Sequence, residues 1–265
     1  MFKGYKLNKV NFGIQYDECY RIGNDLYKSY ENYVQNSLNN FFLDSKTLDG
    51  SQIIDSWFPK IKANIFLSHS HNDKEETIVF AGWLKKTFNL TTFIDSCIWG
   101  YGNDLIQMID NKYSWLDKEN RIYSYNKVLS SSSHVHMMVA TALSSMIDKT
   151  ECLIFYDTPN SIKSFDKGKR TESPWIYSEI AFSETVRKTT PERIKIINES
   201  QKFYNFDGDD TPEKVLKVSY ELNYKHLKEI DHTVLNEWKK NKSVSQKEKA
   251  LDRLYEITFP KIKRL

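Results

Sequence analysis

The chain has 265 residues, enough for one sizeable core, and its 40% hydrophobic and 14% aromatic content is that of a folded protein. Lys and Arg total 38 against 35 Asp and Glu, and a balance of +3 is too even for a nucleic-acid binder. The three cysteines (Cys19, Cys97, Cys152) form neither a disulfide framework nor a CxxC zinc pair, no apolar run approaches the roughly 18 residues of a membrane span, and no leader-like apolar stretch opens the chain.

These features predict a soluble, cytoplasmic protein with no nucleic-acid or membrane partner. Residues 1–60 are expected to form a helical N-terminal extension. Between Tyr20 and Phe42 the apolar positions Tyr20, Ile22, Leu26, Tyr30, Tyr33, Val34 and Leu38 recur at three and four residues. Asp49-Gly50 marks a turn, and Pro59 stands just before the next element.

Residues 61–200 alternate strand-like and helix-like segments. Asn64–Leu67 is a short apolar strand closed by a polar loop, and Lys74–Phe88 follows as a helix. Thr91–Ile94 is a second strand, β-branched and aromatic. A loop through Trp99-Gly100-Tyr101-Gly102 comes next, then a helix at Asp104–Ile109 and another from about Ser133 to Asp148. Cys152–Tyr156 is a third strand, Pro174–Val186 a helix, and Ile194–Ile197 a fourth strand. Strands separated by helices predict an α/β fold with a parallel sheet, whose working loops lie at the carboxyl ends of the strands. Residues 201–265 are expected to form a helical C-terminal extension, because Leu216, Tyr220, Tyr224, Leu227, Ile230, Val234 and Trp238 keep close to a helical period.

Four segments of the middle block carry a resemblance. Ile65-Phe66-Leu67-Ser68-His69-Ser70-His71-Asn72-Asp73-Lys74-Glu75 looks like an apolar strand running into a Ser-His-Ser loop with an Asp and a Lys. Phe93-Ile94-Asp95-Ser96 resembles a second strand ending in Phe-Ile-Asp, Cys152–Tyr156 a third, and Trp175-Ile176-Tyr177-Ser178-Glu179 a W-x-x-x-E motif. In order and approximate spacing these are similar to a bacterial TIR (Toll/interleukin-1 receptor) domain of the NAD-consuming kind, over about Lys62 to Asn198. The resemblance implies a flavodoxin-like parallel sheet flanked by helices, with NAD+ as substrate and no cofactor. It also implies homo-oligomers through TIR–TIR contacts, and a Thoeris-like role in antiphage defence with a separate effector reached through a nucleotide signal. One departure is an insertion, Trp115 to Ser132, between the expected BB loop and the third strand.

The chemistry fits the residue types. Trp175 and Glu179 share a helix face one turn apart. Breaking the nicotinamide–ribose bond builds positive charge on the sugar, and a carboxylate fixed beside it stabilises that charge. Glu179 is therefore the expected catalytic residue, against the plainer reading of a packed Trp beside a solvated Glu; Glu184 follows no aromatic at the right spacing. The resemblance makes Phe66, Ser68, His69, Asp95, Trp99 and Trp175 substrate-binding. The alternative for Ser68 and His69 is ordinary loop structure, with Ser70 or Asp73 capping the next helix. Asp95 either holds the loop or touches substrate, and Trp99 and Tyr101 either stack on adenine or fill space. Gly100-x-Gly102 lacks the third glycine and the strand–turn–helix context of a dinucleotide fingerprint. His69-x-His71-x-Asp73 opens like a metallo-β-lactamase zinc motif, but Lys74 replaces its last His, so no metal is expected. Two further readings stand beside the nucleosidase: a TIR adaptor that only self-associates, and a zinc hydrolase.

Overall fold

The computed structural model describes residues 1–8, 10, 15–31, 38–43, 47–58, 61–165, 168–196, 218–240, 247–260 and 262–264. In chain order the first elements are β1 (Lys3–Asn8), α1 (Tyr16–Glu31), α2 (Gly50–Trp57), β2 (Ile65–Ser68) and α3 (Lys74–Phe88). Then come β3 (Thr92–Ile94), α4 (Ser96–Tyr113), β4 (Trp115–Asp117), β5 (Ile122–Tyr123) and α5 (Tyr125–Lys149). After β6 (Cys152–Asp157) follow β7 (Lys163–Phe165), β8 (Gly168–Thr171), α6 (Pro174–Thr185) and β9 (Ile194–Ile196). The chain closes with β10 (Tyr220–Glu221), β11 (Lys228–Ile230), α7 (His232–Lys240), α8 (Lys247–Thr258) and β12 (Ile262–Arg264).

Five strands form one parallel sheet in the order β11-β1-β6-β2-β3. Read from β3, the first three positions are the second, first and third strands of the middle block, the order that opens a flavodoxin-like sheet. The next two positions are filled from the two ends of the chain, by β1 and β11. Side chains alternate across the sheet, so each strand feeds two cores. Tyr5, Leu7, Ile65, Leu67 and Ile154 face the layer of α1, α3, α7 and α8. Phe66, Phe93, Leu153 and Phe155 face the layer of α2, α4, α5 and α6. Trp238 of α7 stacks on Phe88 at 4.1 Å and donates its indole N–H to the Ala250 carbonyl of α8 at 2.7 Å, seating both C-terminal helices on α3. Among the described residues no helix is long and apolar enough to cross a membrane.

Several expectations are corrected here. Residues 1–60 are not purely helical, because β1 occupies an interior position of the sheet. Within 201–265, β10 and β11 stand where a helical period was read, and helices begin only at His232; residues 201–217 lie outside the described residues. The expected fourth strand does form, yet β9 pairs antiparallel with β12 and stays out of the main sheet. The expected loop at Trp99–Gly102 is helical, since α4 starts at Ser96 directly after β3. There Gly102 provides the clearance for α5: a Cβ added to it would lie 3.0 Å from the Val139 side chain. The insertion is a hairpin, β4–β5, followed by two extra turns at the start of α5.

Helices α1 and α3 cross with their backbones in contact at Gly23 and Gly82. A Cβ on Gly23 would fall inside the Ile78 carbonyl, and one on Gly82 inside the Cys19 carbonyl. Alanine favours helices over glycine by about 1 kcal/mol, but forced overpacking costs roughly 1–3 kcal/mol or more, and backbone atoms cannot swing aside. Gly82→Ala is therefore expected to lower unfolding stability by about 2 kcal/mol in urea titration. A variant as stable as the parent would show that the crossing is not tight.

Candidate active site

The site begins with the sheet. Ser68 is the last residue of β2 and Asp95 follows the last residue of β3, so both emerge at carboxyl ends of neighbouring strands. Helix α6 closes over them from the second core. Its start is set by Ser173, whose side chain accepts from the Ile176 N–H at 3.3 Å, and by Pro174 in the first turn. Ile176, Glu179, Ile180 and Ser183, spaced at three and four residues, form its buried face. The Glu179 carboxyl is thereby drawn into the protein with no exposure to water.

Four side chains meet there. The Ser68 hydroxyl donates to Glu179 Oε2 at 2.6 Å. His69, equally buried, approaches Asp95 Oδ1 through Nδ1 at 2.5 Å, and its backbone N–H donates to Asp95 Oδ2 at 3.3 Å. The Ser96 N–H donates to Asp95 Oδ1 at 2.7 Å, so the same carboxylate caps α4. Burial pushes the His69 imidazole down to about 4. It is neutral at physiological pH.

Both carboxyls are raised, first by burial and, for Glu179, next by the charge of Asp95. They do not share the burden equally. Asp95 accepts from the backbone N–H groups of His69 and Ser96, whereas Glu179 accepts from the neutral Ser68 hydroxyl, so Glu179 holds a proton more readily than Asp95. Burial first, and then the charge of Asp95, hold Glu179 well above the usual carboxylate range. The two carboxyls titrate as a pair, and Glu179 is the last of them to ionise.

A second set of contacts joins the loops. Asp73, buried after β2, accepts from the Thr158 hydroxyl and from the Asn160 amide at 2.7 Å, tying the loop after β2 to the loop after β6. Thr158 and Asn160 escaped the sequence reading, since they stand 85 and 87 residues from Asp73 and follow no motif. Neither Ser70 nor Asp73 caps α3 with its side chain.

Of the residues expected at the site, Ser68, His69, Asp95 and Glu179 converge. Phe66 lies beneath them as core, fully buried with its ring 5.3 Å from that of Phe93. Trp175 is half-buried one turn before Glu179 and meets the His136 ring edge-on at 5.8 Å, packing α6 on α5. Trp99 lies on the first turns of α4, and its side chain is outside the described residues. His71 is exposed and turned away from the buried His69, so the H-x-H-x-D run does not converge on one point. No protein-family model, curated protein or solved structure matches this chain.

The carboxyl pair makes a sign prediction. Glu179 and Asp95 have folded-state values raised above the unfolded ones. Their contribution to stability is full below about pH 4 and is lost as pH rises through the folded values. His69 works oppositely: its contribution is full above about pH 6.5 and is lost as pH falls toward 4. Glu179→Gln mimics the protonated acid without its titration. Relative to the parent, its unfolding free energy in urea titration is expected to gain steadily as pH rises from 5 to 8, by about 1.4 kcal/mol per pH unit at most. A parent–variant difference that is flat across this range would mean that Glu179 is not protonated in the resting site.

Proposed function

We propose that the protein is a TIR-type NAD+ nucleosidase that breaks the bond between nicotinamide and ribose. One observation carries the reading: the glutamate of the W-x-x-x-E motif is the one drawn in over the carboxyl ends of β2 and β3, on the hydroxyl of Ser68. In parallel α/β sheets that is where ligands are handled. An exposed glutamate, as the plainer reading required, would have had no bearing on a reaction.

The chemistry follows from the charges. The C1′–N bond breaks heterolytically and its electron pair leaves on nicotinamide, which departs neutral. The ribose becomes oxocarbenium-like, and the ionised Glu179 stabilises it at short range in a water-poor site. Capture by water gives ADP-ribose and releases a proton, while capture by a ring nitrogen of the same molecule gives a cyclic ADP-ribose signal. Asp95 and His69 position the partner groups. In the resting state Glu179 is a neutral acid and sealed, so turnover requires the site to open and that proton to leave.

Assembly is the proposed trigger, as the resemblance implies, with copies meeting through TIR–TIR contacts in the cytoplasm of a bacterium defending itself against phage. The sealing of Glu179 also supports a second reading, a non-catalytic TIR adaptor that works only by self-association. The same experiment separates them. Incubation of concentrated protein with NAD+ is expected to release nicotinamide, seen by mass spectrometry, with specific activity rising with protein concentration. Glu179→Gln should lower turnover by roughly two to three orders of magnitude, the scale of losing one preorganised electrostatic contact. Glu184→Gln, altering an acid that meets the Asn223 amide at the surface away from Ser68 and Asp95, should keep most activity. Cleavage by Glu179→Gln at the parental rate would remove Glu179 from the mechanism. Absence of cleavage in every assembled form would leave the adaptor.

A further inference from the structure

Strands β1 and β6 lie side by side in register, Asn8 opposite Asp157, and then part. The chain leaving β1 runs to α1, which packs in the first core, whereas the chain leaving β6 runs to α6 in the second. Such a divergence opens a crevice at the carboxyl ends of a parallel sheet, the place where α/β proteins receive nucleotides. Here the crevice holds a cleft of about 580 Å³, inside the range of small-molecule sites. The groups of the proposed catalytic centre do not line it.

Its lining is ordered by charge. Asn8 and Asp157 form the floor. Asp157 is fixed there by the buried Lys6, whose ammonium lies 3.5 Å away. The hairpin β7–β8 forms the wall: Ser164 and Lys169 stand directly opposite each other in the register, so both side chains belong to one hairpin face. Lys163 stands beside them, its ammonium 2.5 Å from Glu172. Ile162 adds an apolar edge. A simple anion is a poor fit, since Asp157 would repel it from the floor. A molecule with vicinal hydroxyls at one end and phosphates at the other fits both. A carboxylate accepts from a pair of ribose hydroxyls, and lysine with a serine hydroxyl donates to phosphate oxygens.

We propose that this cleft is a nucleoside diphosphate subsite that holds the adenosine half of the dinucleotide, with Asp157 on the ribose hydroxyls and Lys169 with Ser164 on the phosphates. The identity of the dinucleotide rests on the NAD+ reading above; the subsite itself rests on the cleft. The two sites lie within one ligand's reach. Ser68 is the register partner of Phe155, and Asp157 lies two residues further on, so strand geometry puts the two Cα atoms about 8 Å apart. Lys6, Asn8, Asp157 and Ser68 also share the side of the sheet that α6 covers, by alternation along paired strands.

The test is calorimetric titration of the full chain with ADP, which lacks the nicotinamide–ribose bond that the proposed reaction breaks. The expected result is saturable binding that weakens at least tenfold in Lys169→Glu and severalfold in Lys169→Gln, with unchanged melting temperatures because Lys169 is exposed. ADP lacking its 2′ and 3′ hydroxyls should bind the parent weakly, and Asp157→Asn should narrow that difference. In turnover, Lys169→Glu should raise KM for NAD+ and leave kcat nearly unchanged. ADP bound equally well by parent and Lys169→Glu, or not bound by the parent at millimolar concentration, overturns the subsite. Lys169-dependent ADP binding in a protein that never cleaves NAD+ upholds the subsite and sinks the nucleosidase. Cleavage of NAD+ with a KM indifferent to Lys169→Glu does the reverse.

Discussion

The structure around the candidate site depends on one constraint: an acid removed from water must be neutralised or matched. A carboxylate buried without partners would cost several kcal/mol. Glu179 meets this by keeping a proton and by taking the Ser68 hydroxyl at 2.6 Å. That bond spans 111 residues, and it can form only if β2 and α6 hold a fixed relation. Asp95 then does three things with one group: its charge helps to hold the proton on Glu179, and it orients His69 and caps α4. Removing the match at any one of these points would leave the others unsatisfied in a region shielded from bulk solvent.

The loops above the sheet are tied together by polar side chains as well. The buried Asp73 accepts from the buried Thr158 and from Asn160 at the surface, and these bonds hold the turn after β2 against the turn after β6. Where the resemblance implied an open loop after the second strand, α4 instead starts at once and lies on α5, with Gly102 allowing the approach. The resting protein is therefore closed around Glu179, and the open ground lies one strand away, over β1 and β6.

Much of this was legible in the residues. The strands at Ile65–Ser68, Thr92–Ile94 and Cys152–Asp157 and the helices at Lys74–Phe88 and Pro174–Thr185 agree with the expected boundaries within one residue or so. Apolar runs bounded by polar loops and a Ser-Pro start are strong local signals. The convergence of Ser68, His69, Asp95 and Glu179 was legible only through motif spacing. What failed was non-local or two-sided. β1 reads Lys-Gly-Tyr-Lys-Leu-Asn, with just Tyr5 and Leu7 apolar, and nothing nearby announces that its partners lie at 152–157 and 228–230. Gly100 and Gly102 were read as loop residues because glycine serves turns and tight helix contacts alike. Tyr220, Tyr224, Leu227 and Ile230 keep a helical spacing, yet they belong to short strands and the turns between them.

The interior position of β1 has a consequence for how the protein comes to exist. β1 leaves the ribosome well before both of its neighbours in the sheet, Cys152–Asp157 and Lys228–Ile230. Parallel pairing over such separations must close long loops before any contact rewards the loss of freedom, which slows folding. Until Cys152–Asp157 has been synthesised, the β1 segment has two unpaired edges and no place in a sheet. Synthesis therefore runs well ahead of folding, and a nascent chain arrested before residue 152 carries a strand with nowhere to go. Chaperone demand and losses to aggregation during expression should concentrate in that interval rather than in the finished protein.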